Sequence, residues 1–231
     1  MRFVVPALFL LSATTTPVAP AWAQTAGPSL AAATAALNNP SIPASGRIEF
    51  KVVREDVNIG RHAVSFRRDG ALLRVDVTID LVVTFLGISL YRYSHQASEV
   101  WRDDRLVALR TSTDKNGERF SVSGRAEGDG FVVEAGGVER AFPADAMPSS
   151  HWNRAWLDGR PLINTQTGQR IDYRATPLGS ETVETADGGR QGEHFAISGD
   201  LVKDIWFDAG GRWVSSRFKA PDGSTISYLL K

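Results

Sequence analysis

The chain contains no cysteine, and this absence removes several classes of function at once. Disulfide staples, thiolate zinc sites, cysteine nucleophiles and thiol redox pairs all need that side chain. A bacterial lipoprotein anchor also needs a cysteine at the mature N-terminus, so we expect no lipid anchor. With 231 residues, the chain is long enough to bury a stable core without disulfides.

An excess of charge of one sign is also lacking. Lysine and arginine together number 26, as do aspartate and glutamate, and the basic residues form no run. Neither a nucleic acid nor an anionic membrane surface is therefore expected as a partner. After the N-terminal segment, no stretch approaches the roughly 18 consecutive apolar residues of a membrane-spanning helix, so the mature chain is expected to have none.

The first 23 residues have the pattern of a secretory signal peptide. Arg2 supplies one positive charge, residues 3–12 are an apolar run, and residues 21–23 read Ala-Trp-Ala, a small-residue cleavage site. Because Arg2 stands alone, the pattern favours the general secretion route over the twin-arginine route. We expect a mature chain that begins at Gln24 and is periplasmic or secreted.

Residues 24–45 are rich in alanine, proline, serine and threonine. This composition favours a flexible leader, although Ser29 followed by alanines up to Ala36 also fits a short capped helix. From residue 46 onward the hydrophobic period changes to two, and no second linker interrupts the chain. We expect one domain over residues 46–231.

Alternating apolar and polar residues from Leu73 to Leu81 are typical of a strand with one buried face. The same pattern predicts further strands near residues 48–54, 58–67, 89–102, 106–113, 119–126, 131–134, 138–142, 170–175, 181–185, 191–197, 202–207, 212–218 and 225–230. Short glycine turns separate many of them. The pattern predicts an all-β fold, an antiparallel meander that forms a barrel or a half-open barrel, with a two-sheet sandwich as the alternative.

Two local expectations concern tryptophans. Residues 147–158 show no alternation, and Trp152 and Trp156 stand four residues apart, so we predict an irregular or short helical insert that covers one end of the β-structure. Trp206 and Trp213 flank a glycine-rich turn and are expected to face each other across a hairpin.

Three stretches resemble a known family. They are YRYSHQASEVWRDDRLVALRTSTDKNG (residues 91–117), SSHWN (149–153) and WFDAGGRWVSSRFKAPDGSTISYLLK (206–231). They are similar to a family of exported bacterial proteins that is known only as a domain of unknown function, over residues 46–231. The resemblance implies no activity and transfers no catalytic residue. The expected architecture also resembles the half-open barrels of periplasmic lipoprotein carriers, which shield acyl chains in an apolar concavity.

The apolar run at residues 81–91 is the first candidate site. Phe85, Leu86, Leu90 and Tyr91 place apolar groups on both faces of a strand. Such a run fits the lining of a cavity or groove for an acyl or isoprenoid chain. It also fits a strand covered on both sides, or a hairpin that turns at Gly87 and packs into the core.

The following strand offers a second candidate. Tyr91, Tyr93, His95 and Trp101 share one face at period two, together with Glu99. Facing a cavity, they would form a mixed aromatic and polar binding wall, and otherwise they are ordinary wall packing. His95 and Glu99 are four residues apart on a strand, about 13 Å, which is too far for a catalytic pair.

The segment Ser149-Ser150-His151-Trp152 is the third candidate. A serine nucleophile with His151 as base would make a hydrolase. No G-x-S-x-G elbow surrounds either serine, and the segment also fits a turn or a helix cap. We therefore count His151 and Trp152 as candidate ligand contacts and assign no catalytic residue.

No metal site and no cofactor are predicted, because the four histidines show none of the close spacings of metal ligands. The sequence favours a non-enzymatic binding or carrier protein for an apolar or amphipathic ligand. An envelope protein that binds another protein is the first alternative, and a hydrolase that uses His151 is the second.

Overall fold

The computed structural model describes residues 39–231, so the predicted signal peptide and residues 24–38 of the predicted leader lie outside the described residues. The described part contains sixteen strands and a 3-10 helix at Arg154–Asp158. The strands are β1 (Arg47–Arg54), β2 (Val57–Asp69), β3 (Leu72–Phe85), β4 (Ile88–Arg102), β5 (Arg105–Lys115), β6 (Glu118–Glu127), β7 (Gly130–Ala135), β8 (Val138–Pro143), β9 (Met147–Pro148), β10 (Leu162–Ile163), β11 (Arg170–Ile171), β12 (Tyr173–Thr185), β13 (Gly188–Gly199), β14 (Lys203–Phe207), β15 (Trp213–Lys219) and β16 (Thr225–Leu230).

Thirteen strands form one antiparallel sheet in the order β12-β13-β14-β15-β16-β1-β2-β3-β4-β5-β6-β7-β8. Strands β1 to β8 and β12 to β16 are two meanders, and the pairing of β16 with β1 joins them. The sheet is not closed, because β8 and β12 remain at its edges. The predicted all-β antiparallel meander is therefore confirmed in its half-open form.

The chain leaves this sheet between β8 and β12 and forms an insert, residues 144–172. Strands β9, β10 and β11 pair there as a small separate sheet. The side chain of Asn153 accepts a hydrogen bond from the backbone N–H of Ala155 at the start of the 3-10 helix, and Gly159 ends the helix with a φ of 83°. The insert is longer than the predicted residues 147–158, since two-residue strands are too short to show alternation.

The insert packs on one face of the large sheet, which we call the inner face. Trp152 and Trp156 are fully buried there and belong to the same hydrophobic core as Phe50 of β1. The Trp152 ring lies 5.1 Å from the Phe66 ring and 5.5 Å from the Trp101 ring, in edge-to-face geometry. The insert therefore fills the concavity that a carrier would use for an enclosed ligand.

A side chain of the edge strand β12 packs on the outer face of β14 and β15. Val183 of this strand forms a second small core with Trp206 and Val214. A register shift between Trp206 and Phe207 places Trp213 opposite Phe207 and turns it inward. The predicted pairing of Trp206 with Trp213 is therefore wrong, because the bulge puts the two indoles on opposite faces.

Candidate functional site

Strand β4 carries a row of polar aromatic side chains on the inner face. The rings of Tyr91 and Tyr93 stack at 6.5 Å, and those of Tyr93 and His95 stack at 6.2 Å. His95 is buried, its Nδ1 lies 2.7 Å from the hydroxyl oxygen of Thr113, and desolvation lowers the pKa of His95 to about 4. These three candidate residues lie side by side, as the period of two predicts.

The strands β3 and β4 continue into an exposed hairpin tip. The tip turns at Leu86 and Gly87, whose φ angles of 49° and 79° suit a tight hairpin turn. Its apolar side chains are solvent-exposed: Phe85 is 63%, Leu86 86%, Ile88 66% and Leu90 61% exposed. The hairpin that turns at Gly87 is therefore present, but these residues neither pack into the core nor line an enclosed cavity.

The exposed tip is continuous with the inner face. Val83 lies opposite Tyr91, Leu81 opposite Tyr93, and Ile79 opposite His95. Ile79, Leu81 and Val83 are partly buried and pack against the main core. An apolar and aromatic track thus runs from the interior to the tip, and we call the end of the sheet that carries this tip the mouth.

A third tyrosine, Tyr228 of β16, is buried in the core with Phe50, His62 and Trp213 around its ring. Burial raises the pKa of Tyr228 on β16, and the nearby phenol groups of Tyr93 and Tyr91 raise it further. The Tyr228 ring lies 6.1 Å from the ring of Phe218 on β15. Strands β16 and β4 are separated by three strands in the sheet.

Deeper inside, three nitrogen-bearing side chains surround the indole of Trp213. The ring of His62 lies 5.1 Å from the Trp213 ring and that of His151 lies 6.1 Å from it. The ammonium of Lys203 lies 5.6 Å from the centre of the Trp213 ring. Hydrogen bonds from the indole N–H to the carbonyl of Ser215 and the hydroxyl of Ser216 hold the indole in place.

Burial keeps this basic cluster largely uncharged. Desolvation lowers the pKa of His62 to about 3, with further contributions from the charges of Lys203 and His95. Desolvation also lowers the pKa of His151 well below its usual value. Lys203 as a whole residue is only partly buried, yet its ammonium lies among protein atoms, and desolvation lowers the pKa of Lys203 to about 7.

The remaining candidates hold the insert on the sheet. The indole N–H groups of Trp101 and Trp152 donate to one carboxylate oxygen of Glu99, at 2.8 and 3.0 Å. Glu99 is fully buried, and desolvation raises its pKa although the hydrogen bonds from these partners and Ser150 oppose the rise. Trp101 and Trp152 are therefore buried behind the mouth and are not part of its surface.

His151 is placed in the interior with a φ of 63°. Its Nδ1 is buried without a hydrogen-bond partner among the described residues. The Ser149 hydroxyl lies 3.2 Å from that of Thr165 and accepts from the backbone N–H of Thr165. The Ser150 side chain lies beside Glu99. The geometry therefore supplies no hydrogen bond between His151 and a serine hydroxyl that would favour a hydrolase.

Sequence reasoning missed Lys203, His62, Tyr228 and Phe218 as members of the site. A signal was present for Lys203, because it shares a period-two face with the buried residues Ile205 and Phe207. A lysine on the apolar face of a strand is unusual and marks a position worth testing. The other three carried no comparable signal, since aromatic residues and histidines are common in any β-core.

The described residues contain neither a metal-binding group of side chains nor a membrane-spanning helix. Across residues 39–231, no group of three or more histidine, aspartate or glutamate side chains is arranged to hold a metal ion. Over the same residues, no helix is long and apolar enough to cross a membrane.

Comparison with known families identifies the chain. Residues 50–231 match the family model described as domain of unknown function DUF6134. Because the match covers most of the chain, the protein belongs to this family, which confirms the resemblance in the sequence. No curated protein and no solved structure matches the chain.

Proposed function

We propose that the protein is an exported, non-enzymatic binding protein whose mouth binds an apolar or amphipathic ligand. The observation that carries the proposal is the exposed apolar hairpin tip, where Phe85, Leu86, Ile88 and Leu90 are exposed within one short stretch of the chain. Clusters of exposed apolar side chains mark binding sites in soluble proteins.

The energetics of the tip favour a ligand. Covering one large apolar side chain contributes roughly 1.5–3 kcal/mol, so four exposed side chains offer several kcal/mol to any apolar partner. The tyrosines behind the tip extend this surface, and each has an apolar ring with a polar hydroxyl end. Desolvation raises the pKa of Tyr93 to about 12, so the phenol stays neutral at physiological pH.

The ligand is expected at the mouth and not in an enclosed core. The indoles of Trp152 and Trp156 and the side chain of Leu162 occupy the space inside the half-barrel. This geometry differs from the carrier expected from the sequence, in which Phe85, Leu86 and Leu90 would line a cavity. The proposed ligand instead lies along the tip and the tyrosine row.

The proposal is tested first on protein purified from its native compartment. Organic extraction followed by mass spectrometry, with a mock purification as control, should recover an apolar or amphipathic molecule in stoichiometric amount. Recovery of the protein from the cytoplasmic fraction would contradict the export that the N-terminal pattern predicts.

A titration with a pyrene-labelled dodecanol tests the location of the site. The double substitution Leu86→Ser with Ile88→Ser should weaken binding about tenfold or more, because two apolar contacts are lost. The matched control, Val138→Ser with Leu178→Ser, changes two exposed apolar residues on the edge strands β8 and β12 and should bind as wild type. Equal loss in both variants would place the site elsewhere.

A protein partner is the second candidate, favoured by the open edges of the sheet. Strands β8 and β12 each pair on one side only, so their other sides can accept a strand from another chain. Crosslinking in the envelope should then capture one reproducible protein through residues of β8 or β12. An empty organic extract together with such a crosslink would favour this alternative.

A further inference from the structure

The Lys203 ammonium is a positive group without a negative partner in the described structure. Within residues 39–231, no carboxylate lies at ion-pair distance from it. Its close neighbours are instead the Trp213 ring and the imidazoles that surround that ring. A buried charge normally has a counter-charge, which an anion would supply here.

His62 adds an unused hydrogen-bonding capacity beside this ammonium. Both of its ring nitrogens are buried and have no hydrogen-bond partner among the described residues. A neutral imidazole carries one N–H, which can donate to an acceptor such as an oxyanion. Both groups lie against the Trp213 ring, the Lys203 ammonium at 5.6 Å and the His62 ring at 5.1 Å from its centre.

A surface groove is lined in part by Lys203. Its volume is about 480 Å³, and it lies where β13 and β15 end and where β14 and β16 begin. Its lining includes three basic residues, Lys203, Arg217 and Lys219, and one acidic residue, Asp204. The Asp204 carboxylate is already engaged by His194 at 2.8 Å, so the groove has an excess of positive charge.

The groove and the hairpin tip lie at the same end of the sheet. Phe218 pairs with Ile226 on β16, Ile226 with Arg54 on β1, and Arg54 with Val57 at the start of β2. In the next strand pair, Gly60 of β2 lies opposite Leu81 of β3. Val57 comes three residues before Gly60, so it lies beside the part of β3 that follows Leu81, at the base of the hairpin tip. Phe218 is therefore at the same height in the sheet as the base of the tip. Both features therefore open at the mouth.

An aromatic path connects the two features across the mouth. Phe218 lines the groove, and its ring lies 6.1 Å from that of Tyr228, which belongs to the core against which Ile79, Leu81 and Val83 of β3 pack. Beyond Val83 the path continues to the exposed apolar tip. A molecule with a charged head and an apolar chain matches this sequence of surfaces.

We propose that the ligand is an anionic amphiphile, whose carboxylate or phosphate head binds Lys203 and His62 and whose apolar chain lies along Phe218 and the hairpin tip. This inference rests on the proposed function, because it names the chemical class of ligand that the mouth would bind.

Protonation of Lys203 accompanies such binding. Because desolvation lowers the pKa of Lys203 to about 7 in the free protein, much of the amine is neutral at pH values slightly above neutral. A bound anion stabilises the ammonium and raises its pKa, so the complex takes up protons from solution. This proton uptake is a signature that an uncharged ligand does not produce.

The test compares two pyrene-labelled probes with the same chain, a dodecanoate and a dodecanol. Wild-type protein should bind the dodecanoate about tenfold or more tightly than the dodecanol, as expected for one charge-assisted contact. Lys203→Met should bring the two affinities together by weakening dodecanoate binding about tenfold or more. Lys51→Met is the matched control, because Lys51 lies on β1 between the inward-facing residues Phe50 and Val52, and it should behave as wild type.

The outcomes separate this inference from the proposed function. Equal affinity of the wild type for both probes would overturn the anionic head and leave the function intact, whereas failure of both probes to bind would overturn both. A preference retained in Lys203→Met would exclude Lys203 as the anchor. A dodecyl phosphate probe distinguishes the head group, since the tighter of the two anions identifies the phosphate or the carboxylate class.

A measurement on the unaltered protein guards against a variant that fails to fold. Calorimetric titration with dodecanoate at about pH 8, in two buffers of different ionisation enthalpy, reports the number of protons taken up. Net uptake supports protonation of Lys203 by the bound head. Binding without proton uptake would contradict the proposal.

Discussion

The indole N–H of Trp152, in the insert, donates a 3.0 Å hydrogen bond to the carboxylate of Glu99 on β4. Trp101, two residues after Glu99, donates to the same oxygen at 2.8 Å. A single buried carboxyl group thus joins the insert to the wall that carries the tyrosine row.

Substitution Glu99→Leu should destabilise the protein by about 2–5 kcal/mol, because two buried indole N–H groups lose their acceptor. Glu99→Gln keeps one acceptor oxygen and should cost less. Urea unfolding measures both values. The control Glu118→Leu changes an exposed glutamate on β6 and should shift stability by less than about 0.5 kcal/mol. A Glu99→Leu variant as stable as wild type would show that the two hydrogen bonds contribute nothing.

Replacement of His62 by phenylalanine should alter how stability depends on pH. The pKa of His62 is about 3 in the folded protein and 6.5 without perturbation, so the unfolded chain binds an extra proton between these values. Wild-type stability from this group is therefore lost as pH falls from about 6.5 towards 3, at up to about 1.4 kcal/mol per pH unit.

The His62→Phe variant lacks that proton and should gain stability relative to wild type as pH falls from about 6.5 to 4. The contribution of His95 to stability is also lost over an overlapping pH range. Because His95 is present in both proteins, its contribution cancels in the comparison. Urea unfolding at several pH values gives the difference. Parallel stability curves for the two proteins would be the contradicting result.

Lys203→Met should stabilise the protein most at low pH. The pKa of Lys203 is lowered from 10.5 to about 7, so below about pH 7 both states carry the charge and the folded state bears its full desolvation cost. Between about pH 7 and 10.5, Lys203 is neutral in the folded protein but still charged in the unfolded chain. The free-energy cost of burying this residue therefore declines as pH rises. The stability advantage of Lys203→Met should shrink across this range, whereas Lys51→Met should show no such trend.

Gly60→Ala should destabilise the β2–β3 pairing by about 2–4 kcal/mol. Gly60 has a φ of 147°, and a methyl group there would lie 1.9 Å from the carbonyl oxygen of Asp80. The control Gly70→Ala has a φ of 58° but no atom near the added methyl group, so it should cost only about 1 kcal/mol. Thermal unfolding ranks the stabilities of the two variants. An equal loss of stability would show that the backbone near Asp80 moves away from the added methyl group.

Local patterns predicted most of the strands, because the alternation of side chains is a property of each strand alone. The predicted strand at residues 73–81 extends to Phe85, where the alternation gives way to a continuous apolar run. Of the predicted strand at residues 170–175, residues 170 and 171 form β11 and residues 173–175 begin β12. Strand β12 also contains the predicted strand at residues 181–185, and its register shifts between Pro177 and Gly179. A bulge at an edge strand tolerates the proline, and the sequence pattern alone cannot show that pairing continues past it.

The sequence by itself indicated an all-β antiparallel meander, many of its glycine turns and the row of Tyr91, Tyr93 and His95 on one face. Period two defines two faces of a strand but does not say which face is covered or what lies opposite. Only the tertiary structure exposed the apolar hairpin tip, filled the concavity with the insert, and gathered Lys203, His62 and His151 around Trp213. These arrangements depend on the curl of the sheet and the return of β16 to β1, which bring together residues that are more than a hundred positions apart in the chain.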